Sequence, residues 1–253
     1  MIPLILFLLP ALAPTSLVPQ DEKQDERADV AERLDQLAAH LKERGDEDLQ
    51  AIAILDGLTR EFQEYGPKDR QAVVKALDGC FKEKRAKELE EGVPDDRLYY
   101  AAATALGEMG PESVKPLLSW LEHKSHRKNV RLQVRITKSL GKTGDEAVRK
   151  PLVELLKHKN KELQAAGAEA LATFSTAPLD DRKDIFKELL DVLMAQKAKK
   201  DADVSDLEAF ERWSTISGPF IATMQALSGH DEREAEAWQR WWNKNKKEDW
   251  DKK

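Results

Sequence analysis

A single cysteine, Cys80, excludes an internal disulfide, and the absence of CxxC and CxxCH leaves no cysteine pair to ligate a metal. Aromatic residues are few, at 6% of 253 positions, and Gly (12) and Pro (11) are sparse. Positive charge is not in excess: 41 Lys and Arg face 47 Asp and Glu, and the net charge of −6 gives no reason to expect nucleic acid as the main partner. There is no HExxH, no Gly-rich phosphate loop, no GxSxG, and no Cys/His or Ser/His pairing in a recognisable context. Catalysis is therefore not expected, and neither is a cofactor or a resident metal.

What the chain does have is charge and periodicity. Charged residues make up 35% and apolar residues 41%, the profile of a mostly helical protein with a very polar surface. The first twenty residues carry no charged side chain, and "DEKQDER" follows abruptly. The apolar run Ile2 to Ala13 has the length of a secretory leader and is short for a membrane span of roughly 20 residues. Ala11-Leu12-Ala13 resembles a small-x-small cleavage site, with a cut after Thr15 as the alternative, because Pro14 would directly follow the first. No Lys or Arg precedes the run, and a buried N-terminal helix is the competing reading, disfavoured by Pro3, Pro10 and Pro14. The expectation is export to the periplasm or cell envelope, with no stable membrane span once residues 1–19 are removed.

Two stretches nearly superimpose: "ALGEMGPESVKPLLSWLEHK" from Ala105 and "SLGKTGDEAVRKPLVELLKHK" from Ser139. Gly107 and Gly110 match Gly141 and Gly144, and one inserted residue then aligns Pro116 with Pro151 and His123 with His158. Upstream, Leu98/Leu106, Leu132/Leu140 and Leu163/Leu171 share one spacing, and "DLQAIAILDGL" from Asp48 reads as a drifted copy. Gly66-Pro67, Gly110-Pro111, Gly144-Asp145, Ala177-Pro178 and Gly218-Pro219 each fall between two helical patterns, where Gly ends one helix and Pro or Asp suits the next. Second helices carry one apolar stripe each: Val114, Leu117, Leu118 and Leu121; then Val148, Leu152, Leu155 and Leu156; then Ile185, Phe186, Leu189, Leu190 and Leu193. One hairpin cannot bury such a stripe, whereas a stack of them can. The fold class is therefore all-α, an α-solenoid of stacked antiparallel helix pairs, about five in number.

These residues resemble the HEAT-repeat family, particularly its bacterial branch with an "ALGxxG" turn between the two helices of a repeat. The resemblance spans roughly Asp46 to Gly229 and is strongest from Arg97 to Met194. The family's Asp before the first helix and its opening Val-Arg pair, which build an internal polar ladder, are not kept. "HKSHRKN" and "HKNKE" fill that loop, and Tyr99, Gln133 and Gln164 follow the aligned leucines. The resemblance implies a protein- or peptide-binding scaffold. Some HEAT-like relatives resemble lyases or maturation factors acting on cofactor-bearing proteins, which supplies an alternative reading.

Candidate contact residues are the off-stripe polar positions of the second helices, Lys115, Ser119 and Glu122, with Lys150 and Glu154 near the corresponding face. A second candidate is the segment His123 to Lys142, with seven Lys or Arg and no acid, in which Arg131, Arg135 and Lys138 share a helical face. It reads as a solvated outer face or as a docking ridge for a polyanion or an envelope surface. His123 and His126 have half a metal site's spacing, but His123 aligns with His158 in a helix-ending turn. Trp120 aligns with Leu155 and reads as packing between repeats, as does Trp213 in step with Leu207, Phe210 and Ile216. Cys80 reads as core.

Four of the six tryptophans lie between Trp238 and Trp250. Trp238, Trp241 and Trp242 share one face and resemble the C-terminal "WxxWW" helix that ends many exported HEAT-like proteins. They are read as a cap, with Trp250 loosely held in a frayed tail. The expected organisation is thus a leader at 1–19, an acidic segment and N-terminal capping helix at 20–45, a repeat array at 46–229 and the Trp-rich helix and tail at 230–253. A monomer that binds a protein or peptide is expected.

Overall fold

The computed structural model describes residues 25–85, 88–90 and 93–252, so the expected leader lies outside the described residues. Eleven α-helices are described: α1 (Ala28–Lys42), α2 (Asp48–Glu61), α3 (Pro67–Cys80), α4 (Arg97–Glu108), α5 (Val114–Trp120), α6 (Val130–Lys142), α7 (Arg149–Leu155), α8 (Lys161–Leu171), α9 (Leu179–Ala202), α10 (Leu207–Ser228) and α11 (Ala235–Asn245). A short antiparallel hairpin, β1 (Glu88–Glu90) and β2 (Val93–Pro94), links α3 to α4. The first helices of successive pairs stack directly, α2 on α4, α4 on α6, α6 on α8 and α8 on α10. The second helices α3, α5, α7, α9 and α11 form the other layer, and α1 lies against α2 and α3. This is an α-solenoid of packed helix pairs.

The apolar stripes form one continuous core. Leu117, Val148, Leu152, Leu156, Phe186, Leu189 and Leu193 are fully buried, and Val114 and Leu155 nearly so. Burial of one such side chain stabilises by about 1.5–3 kcal/mol, and almost all of it comes from neighbouring pairs, because the seven-residue α5 and α7 are too short to hold as isolated helices.

The two glycines of each "ALGxxG" motif do different things. Gly110 and Gly144 adopt left-handed backbone, φ +76° and +66°, and turn the chain between helices. Gly107 and Gly141 sit inside helices at the closest approach of adjacent repeats. A Cβ on Gly107 would lie 2.8 Å from the Ser139 Cβ, and one on Gly141 would lie 2.8 Å from the Ala170 Cβ. The stack is therefore built on small residues along the α4–α6–α8 seam.

Three features differ from the sequence reading. Gly218-Pro219 is not a turn: α10 runs straight through Pro219, and the chain turns at Gly229, φ 66°. An interior proline costs about 3 kcal/mol, which the fully buried Ile216, Phe220, Met224 and Leu227 on either side of it outweigh. The Trp-rich helix α11 is consequently the second member of the last pair. Leu49, aligned by sequence with Leu98, is 64% exposed, since α2 buries the phase set by Ala51, Leu55 and Leu58. Leu207 and Phe210 are 74% and 58% exposed, although Ile216 is buried. The reason is length. At 22 residues α10 doubles the 11-residue α8, whose start meets it at Glu211 and Arg212, so the first turn of α10 runs past its neighbour.

The seam makes a paired prediction. Gly141→Ala is expected to destabilise by about 1–3 kcal/mol through overpacking. Gly79→Ala, in α3 with nothing within 4 Å of the new Cβ, is expected to stabilise by about 0.4–1 kcal/mol. Urea denaturation of the two variants checks both signs.

Candidate functional site

The loops that join successive pairs are tied by one recurring bond. Tyr99, Gln133 and Gln164, the residues after the aligned leucines, each donate to a backbone carbonyl at or beyond the end of the preceding second helix. The Tyr99 hydroxyl donates to Glu83 O, Gln133 Nε2 to Trp120 O at 3.2 Å, and Gln164 Nε2 to Leu156 O at 2.7 Å. Gln133 also accepts from Glu122 N at 2.6 Å, and Arg212 extends the series by donating to Gln164 Oε1 (3.1 Å) and Lys159 O (2.7 Å). Asn129 and Asn160 cap α6 and α8, accepting from Leu132 N at 3.0 Å and Leu163 N at 2.8 Å. The polar ladder that the sequence left in doubt is present in a substituted form.

At the first of these loops the chain opens into a cleft of about 1150 Å³ between the end of α3, the start of α4 and the α5–α6 loop. Its floor is aromatic. Phe81 stacks on Trp120 at 5.3 Å between centroids and on Tyr99 at 6.3 Å, while the His126 ring lies 4.7 Å from Tyr99 and 5.5 Å from Trp120. All four are buried, and the two polar ends are anchored. Trp120 Nε1 donates to Asp78 Oδ1 at 2.7 Å, and His126 Nε2 donates to Phe81 O at 2.8 Å. Trp120 therefore packs between repeats, as its alignment with Leu155 implies, and also forms part of a concave surface.

Charges surround this floor in pairs. Arg97 grips Asp95 at both oxygens, 2.9 and 2.6 Å, and so holds its carboxyl below the ordinary range. Asn129 Nδ2 donates to Asp96 Oδ2 at 2.9 Å, and Arg131 Nη1 lies 4.0 Å from Asp96 Oδ1. Asp48 and Arg85 form a buried pair, Oδ2 to Nε 2.9 Å, with side chains 1% and 3% exposed. Burial raises the Asp48 carboxyl above its usual range, with Arg85 opposing. Removing one partner of such a pair costs about 3–5 kcal/mol.

The structure distributes the sequence candidates over several places. Lys115 and Ser119 line a shallow groove of about 720 Å³ between α3 and α5. Glu122 meets His158 of the next repeat, Oε1 to Nε2 3.0 Å, and Lys150 and Glu154 are exposed on α7. Arg131, Arg135 and Lys138 do share a face of α6, yet each has a neighbour there. Arg131 and Arg135 lie over the Tyr100 ring at 5.0 and 4.3 Å, Arg135 also donates to the Tyr100 hydroxyl, and Lys138 pairs with Glu169 at 2.5 Å. Only Arg131 also lines the aromatic cleft. Phe81, Arg85, Asp48 and Asp95 carried no motif and were not singled out, because they meet only through the α3–α4 connection.

Trp238, Trp241, Trp242 and Trp250 converge on one side chain, the fully buried Phe186 of α9, with centroids 5.5, 5.5, 5.3 and 5.4 Å away. Trp238 is fully buried and Trp250 nearly so, and Trp250 Nε1 donates to Asn245 O at 3.0 Å. The tail is fastened rather than frayed: Arg182 reaches Asp251 Oδ2 at 2.5 Å and Lys183 reaches Glu248 O at 2.7 Å. Among the described residues no group of three His, Cys, Asp or Glu is placed to hold a metal ion, and no helix is long and apolar enough to cross a membrane.

With this geometry in place, residues 83–172, which run from the α3–α4 connection through α8, match the model of the HEAT repeats family. No curated protein matches the chain.

Cys80, the last residue of α3, is fully buried, and burial pushes its thiol up to about 12 from 9.0. A thiol raised in the folded state favours folding fully below pH 9 and loses that contribution as pH rises towards 12. Cys80→Ala should therefore flatten the fall of stability between pH 9 and 11. Tyr65, also raised to about 12, leaves a remainder. Chemical denaturation across that range measures the difference.

Proposed function

We propose that this chain is a non-catalytic scaffold that holds a partner protein against the surface of its helix pairs. The observation that carries this reading is the match of residues 83–172 to HEAT repeats, a class commonly used for protein interaction, on a fold whose stacked pairs present an extended surface. The aromatic cleft supports it further, since a concave apolar floor with a few placed polar groups is what a ligand-binding surface requires. The α3–α5 groove with Lys115 and Ser119, and the exposed Lys150 and Glu154, extend the surface along the second helices. Arg131, Arg135 and Lys138 contribute mainly to bracing between repeats in this reading, because each is engaged with Tyr100 or Glu169. The scaffold acts as a monomer outside the cytoplasm, a placement that rests on the uncharged run ahead of Asp21.

Affinity purification of the tagged chain from the exported fraction at moderate salt tests the reading. A protein partner retained in stoichiometric amount is the expected result. Recovery of only a small molecule or metal in stoichiometric amount, with no protein, would overturn it. N-terminal sequencing of the same material is expected to begin near Pro14 or Ser16.

A further inference from the structure

The end of the α9–α10 hairpin carries apolar side chains that the fold leaves uncovered. Lys197 Nζ of α9 meets Glu236 Oε1 of α11 at 2.7 Å, and Lys161 Nζ of α8 meets Glu211 Oε2 of α10 at 2.6 Å. Residues 198–210 run past both of these ties. Within that stretch Val204 is 94% exposed, Leu207 74% and Phe210 58%. Leu207 and Phe210 stand at i and i+3 on one face of α10, and Val204 lies just ahead of its first turn. Half-buried Trp213 follows, with Lys200 Nζ 5.3 Å from its ring centre. Among the described residues Leu49 is the other large apolar side chain left exposed, so the exposed ones gather at this tip. Single exposed apolar residues are ordinary, whereas a group of them marks a contact surface.

The charges within the tip are of one sign. The stretch from Asp201 to Glu211 holds Asp201, Asp203, Asp206, Glu208 and Glu211, all exposed, and no Lys or Arg. Two of these are committed: Asp201 to Lys197 and Lys200, and Glu211 to Lys161. Asp203 accepts from Ser205 N and Oγ, Asp206 caps α10 by accepting from Ala209 N, and the 85%-exposed Glu208 lies 3.5 Å from Arg212. Those three carboxylates keep charge to offer beside the apolar group. The pattern discriminates among occupants. A second copy paired face to face would set the same acids against one another, and an anionic lipid surface would meet the same repulsion. The chain's own apolar run at 1–20 has no charged side chain to answer them. A cationic segment with apolar side chains fits.

We infer that the α9–α10 tip docks a basic amphipathic segment of a partner protein. Apolar side chains of that segment cover Val204, Leu207 and Phe210, and its Lys or Arg residues face Asp203, Asp206 and Glu208. Covering the apolar group supplies the affinity, and the acids select the sign of the partner and steer its approach. This assignment deepens the scaffold reading and rests on it.

The test is fluorescence anisotropy on the full chain with a labelled peptide of Lys, Leu and Phe, and with two counterparts, one carrying Glu for every Lys and one carrying Ser for every Leu and Phe. The basic apolar peptide should bind, and each counterpart should bind at least tenfold more weakly. Leu207→Ser with Phe210→Ser, both at exposed positions, should lose at least tenfold. Asp203→Lys with Glu208→Lys should weaken binding severalfold. Leu49→Ser, at an exposed apolar position on α2, should leave it unchanged. Equal binding of the Glu counterpart, no binding of any peptide, or undiminished binding by the Leu207→Ser, Phe210→Ser variant would overturn the assignment. Sedimentation velocity, and flotation with vesicles of phosphatidylcholine and phosphatidylglycerol, address the other occupants. A dimer or a vesicle-bound fraction that this variant abolishes would overturn the assignment as well. If a protein co-purifies equally with the unaltered chain and with this variant, the tip assignment falls and the scaffold reading stands. If nothing co-purifies with the unaltered chain, the scaffold reading is what fails.

Discussion

The structure depends on the close seam between successive first helices. Where α4 meets α6 and α6 meets α8, the chain places Gly107 against Ser139 and Gly141 against Ala170, leaving no room for a single added carbon. That proximity sets the spacing of everything else. It brings the ends of the helices near enough for Gln133 and Gln164 to reach the preceding carbonyls. It also brings α6 near enough for Arg135 to lie on Tyr100, and for Lys138 and Lys142 to meet Glu169 and Glu108. Exposed ion pairs of this kind are worth little singly, about 0–1 kcal/mol. Their role is to fix register along a seam that apolar packing already holds.

The array must stop without leaving an apolar face to solvent, and its two ends solve this differently. At the start, α1 is joined to α3 by crossed caps: Asp25 Oδ1 accepts from Lys68 N at 2.8 Å, and Asp69 accepts from Glu26 N and Arg27 N at 3.1 Å. At the other end four tryptophans surround Phe186, and Arg182 and Lys183 hold the tail over them. Aromatic pairs add about 0.5–1.5 kcal/mol each beyond their burial, so a few large rings close a face that would otherwise need another repeat. The tryptophans are spent on packing against Phe186, with Trp238 fully buried and Trp250 nearly so. The aromatic rings at the Trp120 cleft are buried as well, although they line a concave surface.

Much of this was legible in the sequence. The apolar stripes and the "ALGxxG" turns are local signals with a fixed period, so they place α4 to α9 and the solenoid class directly. Gly218-Pro219 misleads because a dipeptide reports local preference, and here buried Ile216 and Phe220 override it. Leu207 and Phe210 carry the correct period but have no neighbour, since helix length relative to α8 is not written in the periodicity. The cleft was the least visible part. Asp48, Arg85, Asp95 and His126 belong to different elements and meet only through tertiary packing; His126 showed only as half a metal spacing and Asp48 only as the start of a drifted repeat. The basic segment 123–142 was visible as charge, whereas its engagement with Tyr100, Glu108 and Glu169 required the neighbouring repeats.

A stack held by nearest-neighbour seams and closed at both ends should unfold as one unit. Trp120, Trp213 and the four tryptophans at Phe186 report mainly on the C-terminal end, while far-ultraviolet circular dichroism reports on all helices. The direct measurement is urea denaturation of the full chain followed by both signals. Coincident midpoints with the same slope are predicted. A tryptophan transition completed well before the loss of helix would show that the closing helix is an appendage and that the seams do not couple the array.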